Sequence, residues 1–323
     1  MKRTLVVPPQ NTGERLDIYL KKNLPDESRA FLQRQIFDGK ILLNGRRARP
    51  RTKLVAGDTL TAEIQRPPSE LAPSLSPVIP VIFENAELLV INKPSGITVH
   101  PAHFPGNNTV ANWLISQYPE IRSVGDSRIR PGIVHRLDKG TSGVMVIAKT
   151  QKMFEYLKRL FKERVVKKEY TAILEGKISK TKGVVEGYLA PSKKNYRKKK
   201  FQVLPSSGKA KMSRTKFEAI RYADGLTLAK FFPETGRTHQ IRVHAKSLGA
   251  PVLGDALYGA ETKLPEDFRG RFFLHASKIS FPFPDDSEKS FSAPLPEDFK
   301  KVIEWLGATL KVGHRRNAVH ALS

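Results

Sequence analysis

The sequence contains no cysteine and only two tryptophans among its 323 residues. Without cysteine the chain can form neither disulfides nor thiolate metal sites, so a reducing cytoplasm is the expected compartment. No apolar run is long enough to cross a bilayer, and Pro8 and Pro9 interrupt the short apolar run near the N-terminus. These absences predict a soluble, cytoplasmic protein with no membrane partner.

Acidic residues are also scarce, with 31 Asp and Glu against 56 Lys and Arg and a formal net charge of +25. Hydrophobic residues make up 39% of the chain, which is enough for a folded core. Positive charge spread along a folded chain predicts a polyanionic partner, and nucleic acid is the leading candidate. An anionic membrane surface is the weaker alternative, because no basic amphipathic helix with an aromatic face is present.

A small α/β module is predicted over residues 13–65. Two short helical segments are followed by a strand, with Ser28 suited to cap the second helix and Asn44-Gly45 suited to a tight hairpin turn. No acidic residue lies between residues 39 and 57. The basic residues around the second helix and the turn are Arg34, Lys40, Arg46, Arg47, Arg49, Arg51 and Lys53. We expect this surface to face RNA.

A Pro- and Ser-rich linker over residues 66–80 precedes a larger predicted domain over residues 81–306, which leaves a C-terminal tail at 307–323. Several segments of the larger domain alternate apolar and polar residues, which predicts strands. One of its few helices is predicted in THQIRVHAKSLG, with Thr238 as the cap and Gly249 at the end. Many strands and few helices indicate an α+β fold with a mainly antiparallel, mixed sheet.

Three motifs in the larger domain carry candidate chemistry: HRLDKGTSG with Asp138, KKEYTAILEG with Tyr170, and ETGRTHQIRVH with Arg237 and Arg242. Asp138 can be a nucleophile, a general base, a metal ligand or only the start of an Asx turn, and its cationic neighbours disfavour the metal. Tyr170 in a strand is ordinarily a packing residue, unless its ring faces the same pocket as Asp138. Arg242 has apolar neighbours on both sides, and a partly buried arginine requires an anion, which could be Asp138.

These motifs resemble those of the RluA-type RNA pseudouridine synthases. ELLVINKPSGITVHP, HRLDKGTSGVMVIAK, KKEYTAIL, TGRTHQIRVHAKSLGAPVLGDALYG and FLHASKISFPFP occur in that family's order, and the opening module resembles the small RNA-binding domain named for a small-subunit ribosomal protein. Together the two resemblances cover roughly residues 13–284. They imply a pseudouridine synthase catalytic domain preceded by a small α/β RNA-binding domain.

The resemblance also implies roles for individual residues. Asp138 is the implied nucleophile on a flipped uridine, attacking either the anomeric carbon or the uracil ring; Tyr170 stacks on the base and assists removal of the carbon-5 proton; Arg242 pairs with the aspartate. The implied substrate-binding residues are Arg136, Thr141, Ser142, Gly143, Arg237, His239, Gln240 and Leu274. Small residues from Gly140 to Gly143 are expected to let the backbone approach ribose and phosphate.

No cofactor is implied, because the isomerisation involves no net redox change, and no metal is expected, because the immediate neighbours of Asp138 are cations. The expected partner is RNA, by analogy large-subunit ribosomal RNA, and the enzyme is expected to act as a monomer. A non-catalytic RNA-binding protein is one alternative, and a zinc enzyme built on His100, His103, His239 and His244 is another. The basic segment over residues 191–216, which contains no acidic residue, is either a solvated loop or a partly ordered RNA clamp.

Overall fold

The computed structural model describes residues 2–64, 70–101, 108–192, 198–205, 208, 210–261 and 271–311. The chain divides into two compact units. Of the described residues, those up to 64 belong to the first unit and those from 70 onward belong to the second. Each unit has its own apolar core.

The first unit combines a small antiparallel sheet with two helices. In the described residues its elements are β1 (Lys2–Val6), α1 (Leu16–Asn23), α2 (Arg29–Phe37), β2 (Ile41–Leu43), β3 (Arg46–Arg47) and β4 (Thr59–Glu63), and the strand order is β1-β4-β2-β3. Leu32 and Ile36, one helical turn apart on α2, are fully buried against Leu20 and Leu60.

Local signals in the first unit are confirmed. The Ser28 side chain accepts a hydrogen bond from the Phe31 N–H at the start of α2, as an N-cap should. Asn44 and Gly45 both have positive φ, at 50° and 72°, which is the backbone of the tight turn between β2 and β3. The unit begins before residue 13, however, because β1 pairs with β4 along its whole length.

The second unit is organised around one large sheet. Its described elements are β5 (Val81–Glu84), β6 (Leu88–Lys93), α3 (Val110–Gln117), β7 (Ser142–Ala148), α4 (Gln151–Glu163), β8 (Lys167–Glu175), β9 (Lys182–Pro191), β10 (Lys199–Gln202), β11 (Lys211–Ala223), β12 (Leu226–Pro233), α5 (Gln240–Ser247), β13 (Leu274–Pro282), β14 (Glu288–Ser292) and α6 (Glu297–Lys311). The sheet order in the described chain is β10-β9-β11-β12-β8-β13-β7-β6-β5, with β14 on β13.

Neighbouring strands of this sheet are antiparallel except for β7 and β13, which run parallel. The predicted α+β class with a mainly antiparallel, mixed sheet is therefore confirmed. Every residue of β7 is buried, and α4 packs Met153, Leu157 and Leu160 into the same core. The central strands are thus covered on both faces, which holds the loops at their ends in defined positions.

Three sequence expectations differ from the structure. Helix α5 begins at Gln240 rather than after Thr238, and its N-cap is His239 in the left-handed conformation, with no capping side chain. Leu71 and Ile79, inside the predicted linker, are buried in the core of the second unit. The predicted boundary between residues 306 and 307 falls within α6.

None of the helices in the described part of the chain combines the length and the apolar character that crossing a membrane requires.

Candidate active site

A cavity of about 530 Å³ opens in the second unit where the loop before β7, strand β8 and the start of α5 meet. Of the residues proposed from sequence for the site, those that line it are Arg136, Asp138, Thr141, Tyr170, Arg237, His239, Gln240, Arg242 and Leu274. The fold therefore brings three motifs together around Asp138, although Asp138 and Arg242 are 104 positions apart in the chain.

Lys93, the last residue of β6, contacts the loop that carries Asp138 through a hydrogen bond to its backbone. The Lys93 ammonium is fully buried and donates to the carbonyls of Pro94 at 2.7 Å, Ile97 at 2.8 Å and Lys139 at 3.4 Å. Burial lowers the pKa of Lys93 to about 7, and the charge of Asp138 opposes that shift. Sequence reasoning missed Lys93, although a lysine ending an apolar strand is the signal for such a buried, tethered amine.

Small residues after Asp138 serve the protein's own packing. A Cβ at Gly140 would lie 2.5 Å from the Phe272 ring, and a Cβ at Gly143 would lie 2.2 Å from the Ala276 carbonyl oxygen. Gly143 also has a φ of 118°, which an L side chain rarely adopts. These contacts explain the glycines without the close approach to ribose and phosphate that the sequence suggested.

Ser142 is directed away from the cavity. Its hydroxyl is 2.9 Å from Nδ1 of His275, whose Nε2 donates to the Ala293 carbonyl at 3.2 Å. Burial lowers the pKa of His275 to about 4, so the ring is neutral and Nδ1 accepts from Ser142. Among the described residues that line the cavity, Thr141 is present and Ser142 and Gly143 are not.

Arg242 binds two carboxylates, and the stronger contact is with a residue that sequence reasoning missed. Its Nε and Nη2 donate to Oδ2 and Oδ1 of Asp255 at 2.6 and 2.8 Å, a bidentate pair. Its Nη1 reaches Oδ2 of Asp138 at the longer distance of 3.4 Å. Arg242 was expected to pair with Asp138; Asp255, almost fully buried, is instead its principal partner.

Aromatic rings and charges complete the surroundings of Arg242. The guanidinium carbon lies 4.3 Å from the centroid of Phe272 and 5.0 Å from that of Tyr258. Burial alone would lower the pKa of Arg242, but the hydrogen bonds and charge of Asp255, together with the charge of Asp138, raise it. Arg242 is therefore a fixed cation that places positive charge beside the Asp138 carboxylate.

Tyr170 lines the same cavity as Asp138. In the interpretation of the sequence, a role in the site rather than in packing alone depended on this placement. It stands on β8 and is packed against the apolar core, and Leu274 of the neighbouring strand β13 lines the cavity with it. Burial, together with the charge of Asp138, raises the pKa of the Tyr170 hydroxyl above its ordinary value. Tyr170 therefore presents a neutral phenol ring to the cavity.

Gln240 supports the cavity wall through its side chain. Its Oε1 accepts from the Thr235 hydroxyl at 2.7 Å and from the Arg237 N–H at 3.0 Å. Its Nε2 donates to the Arg214 carbonyl at 3.0 Å and to the Thr215 hydroxyl at 2.8 Å. These four bonds satisfy both the oxygen and the nitrogen of the buried Gln240 side-chain amide. The Gln240 side chain therefore holds the start of α5 in place.

Histidines near the site are engaged in hydrogen bonds of the fold. His244 lies between the hydroxyls of Ser213 and Thr215, at 3.0 and 2.9 Å, and burial lowers its pKa to about 4. His103, part of the zinc alternative, lies outside the described residues. Over the part of the chain that the structure describes, no group of three or more His, Asp or Glu side chains is arranged to hold a metal ion.

Cations border the cavity on the side of α4. Lys162, Arg164 and Lys168 line it together with the exposed Arg136. Burial lowers the pKa of Lys168 to about 8, and the charge of Arg164 adds to that shift. A cavity with a carboxylate, a neutral aromatic ring and a cationic border suits a nucleotide whose phosphates remain at the rim.

Comparisons with known proteins agree with this geometry. Residues 87–247 match the family described as RNA pseudouridylate synthase, and residues 14–60 match the S4 domain. An uncharacterized RNA pseudouridine synthase of Bacillus subtilis is 33% identical over 296 residues, which is 91% of this chain and 95% of the relative. The Ribosomal large subunit pseudouridine synthase D of Vibrio parahaemolyticus is 34% identical over 315 residues, covering 94% of each chain.

A solved structure, titled Human RNA Pseudouridylate Synthase Domain Containing 4, superposes with a TM-score of 0.55 at 26% identity, covering 71% of this chain and 93% of that chain. The resemblance found in the motifs is thus confirmed by sequence relatives over nearly the whole chain and by fold. The chain belongs to the RNA pseudouridine synthase family, whose members are isomerases acting on RNA, and it carries an S4 domain at its N-terminus.

Proposed function

We propose that this enzyme isomerises specific uridines of large-subunit ribosomal RNA and that Asp138 is its nucleophile. The observation that carries the proposal is the placement of the Asp138 carboxylate in one cavity with the Arg242 guanidinium and the neutral ring of Tyr170. The choice of RNA rests on relatives such as that of Vibrio parahaemolyticus, whose name specifies the large ribosomal subunit.

The reaction needs the uridine to leave its stack. Extrusion costs a few kcal/mol, and the rim cations and the Tyr170 ring offset that cost by binding the phosphates and the base. Asp138 then attacks either the anomeric carbon or the uracil ring, the bond between the anomeric carbon and nitrogen-1 breaks, and the base turns. The anomeric carbon then joins carbon-5 and the bond to Asp138 breaks, which restores the carboxylate. The carbon-5 hydrogen leaves as a proton and nitrogen-1 gains a proton, so the product is an isomer of the substrate.

Tyr170 contributes first as a platform. Because its hydroxyl is protonated in the free enzyme, it is a hydrogen-bond donor and a stacking surface, and it can take the carbon-5 proton only after losing its own. We also propose that the enzyme acts as a monomer. The S4 domain would supply a second RNA contact on the same chain.

The test is release of tritium from transcripts that carry carbon-5-tritiated uridine. Wild-type enzyme is expected to release tritium from large-subunit ribosomal RNA and not from small-subunit or transfer RNA. The isosteric Asp138→Asn variant is expected to bind the same RNA and release none, because an amide cannot attack carbon.

Turnover by homogeneous Asp138→Asn enzyme would remove the nucleophile assignment. Equal release from all three RNAs would remove the assignment of the substrate. Binding by the wild-type enzyme without release would instead favour the non-catalytic RNA-binding protein.

A further inference from the structure

Tyr258 connects the sheet edge to the candidate active site through two hydrogen bonds. Its hydroxyl oxygen accepts from the backbone N–H of Lys199, on strand β10, at 2.8 Å. The same oxygen lies 2.9 Å from Nδ1 of His239, and the two rings meet edge to face with centroids 5.6 Å apart. Tyr258 is 3% exposed, so these partners are held in a buried setting.

The first bond has a fixed direction and leaves the Tyr258 proton available for the second. A backbone N–H can only donate, so the Tyr258 oxygen accepts from Lys199, and its own proton can be donated to Nδ1 of His239. Burial raises the pKa of Tyr258 to about 12, which keeps that proton on the hydroxyl. In this arrangement Nδ1 of His239 is the acceptor.

The other ring nitrogen of His239 faces the Asp138 carboxylate. Burial lowers the pKa of His239, Asp138 and Asp255 oppose the shift, and Arg242 and Lys199 add to it, so the ring is neutral at physiological pH. A neutral imidazole whose Nδ1 accepts carries its hydrogen on Nε2. That Nε2 lies 4.0 Å from Oδ2 of Asp138, the oxygen that Arg242 also contacts.

We propose that Tyr258 is a positioning residue that fixes His239 as an Nε2–H donor directed at Oδ2 of Asp138. This inference rests on the proposed role of Asp138 as nucleophile. Because His239 and Arg242 both face Oδ2, they hold one carboxylate oxygen and leave Oδ1 to make the attack. At 4.0 Å the His239 contact is longer than a hydrogen bond in the free enzyme. In this proposal the contact shortens to a hydrogen bond when substrate is bound.

The hydrogen position can be read directly on the full-length enzyme. Long-range ¹H–¹⁵N spectra of enzyme with ¹⁵N-labelled histidine rings distinguish a protonated from an unprotonated ring nitrogen, and His239→Gln identifies the signals of His239. We expect an unprotonated Nδ1 and a protonated Nε2 in wild type. In Tyr258→Phe the Nδ1 signal should move, because that nitrogen loses the donated hydroxyl. A His239 with its proton on Nδ1, or with an unchanged spectrum in Tyr258→Phe, overturns the inference.

Kinetics supply the second readout. Tyr258→Phe keeps the ring beside Arg242 and is expected to lower kcat about tenfold with KM unchanged, the size of one lost hydrogen bond. Tyr222→Phe, an exposed tyrosine on β11, is the matched control and should match wild type. An inactive Asp138→Asn enzyme with a fully active Tyr258→Phe enzyme would overturn this inference alone. An active Asp138→Asn enzyme would overturn the nucleophile and with it the role of Tyr258.

Discussion

Arg242 is shared unequally between two carboxylates. It makes a bidentate pair with the buried Asp255 and a longer single contact with Asp138. The pair with Asp255 holds the guanidinium in place through Nε and Nη2. Only Nη1 is directed to Asp138 in the cavity. We therefore expect stability and catalysis to depend on different N–H groups of the Arg242 guanidinium.

Separate variants should divide these two effects. Arg242→Met leaves Asp255 buried without its cation and is expected to cost about 3–5 kcal/mol of unfolding free energy. The double variant Arg242→Met, Asp255→Leu replaces the pair with apolar groups and should recover most of that loss, while remaining inactive because Asp138 has lost its cation. Urea unfolding and tritium release measure the two quantities. Recovery of activity together with stability in the double variant would show that Asp138 does not depend on Arg242.

Sequence motifs predicted the residues that line the cavity better than the residues that support them. Recognisable motifs contain Asp138, Tyr170 and Arg242, and the fold brings these residues to one cavity. Asp255 lies within the motif TGRTHQIRVHAKSLGAPVLGDALYG but was not assigned a role. Its role is to pair with Arg242, 13 positions away, which the motif alone does not show. Lys93 donates to the backbone carbonyl of Lys139, 46 positions away. Its place at the end of an apolar strand indicates a buried amine, but no local pattern identifies that partner.

At the scale of single elements, the start of α5 shows how tertiary contacts override local propensity. Threonine is a favourable N-cap, so Thr238 was the expected one. The Gln240 side chain instead accepts the Arg237 N–H, and His239 takes a φ of 59° as it contacts Tyr258. The left-handed backbone of His239 thus accompanies the contact with Tyr258, to which we assign a positioning role and which helix propensity alone does not predict.

The basic segment is partly built into the sheet. Strand β10 and the first residues of β11 belong to it, whereas residues 193–197, 206, 207 and 209 lie outside the described residues. Lys200 on β10 is exposed, and the backbone of its neighbour Lys199 reaches Tyr258. The solvated-loop interpretation is therefore wrong for these strands, and their role as an RNA clamp stays a prediction.

Removing positive charge from β10 or from the first unit should distinguish binding to any RNA from binding to long structured RNA. Replacing Lys198, Lys199 and Lys200 by Gln keeps the Lys199 backbone N–H and is expected to weaken binding to all RNAs, with the salt slope falling by ~0.7 per lost phosphate contact on single strands. The matched set replaces the exposed Arg46, Arg47 and Arg49 of the first unit and should weaken only long structured RNA. Affinity against salt concentration for a short stem-loop and for ribosomal RNA measures both. Identical behaviour of the two variant sets would contradict this division.

At the scale of the whole molecule, alternating apolar positions and the small number of helices allowed the α+β class and the antiparallel sheet to be predicted. The parallel contact between β7 and β13 could not be predicted, because it joins His275 to Ser142 across more than a hundred residues. It passes directly beside the Asp138 loop, and Gly143 permits it. The long-range pairing that positions the site is therefore a property of the complete sheet.

The central claim, that Asp138 isomerises uridines of large-subunit ribosomal RNA, is tested most directly by mapping pseudouridines in cells. Total RNA is compared from cells that lack this protein and that are complemented with wild type or with Asp138→Asn at equal protein level. We expect one or a few large-subunit pseudouridines to disappear without the protein and to return only with wild type. Large-subunit RNA with the same pseudouridines in all strains, or restored by Asp138→Asn, would contradict the account.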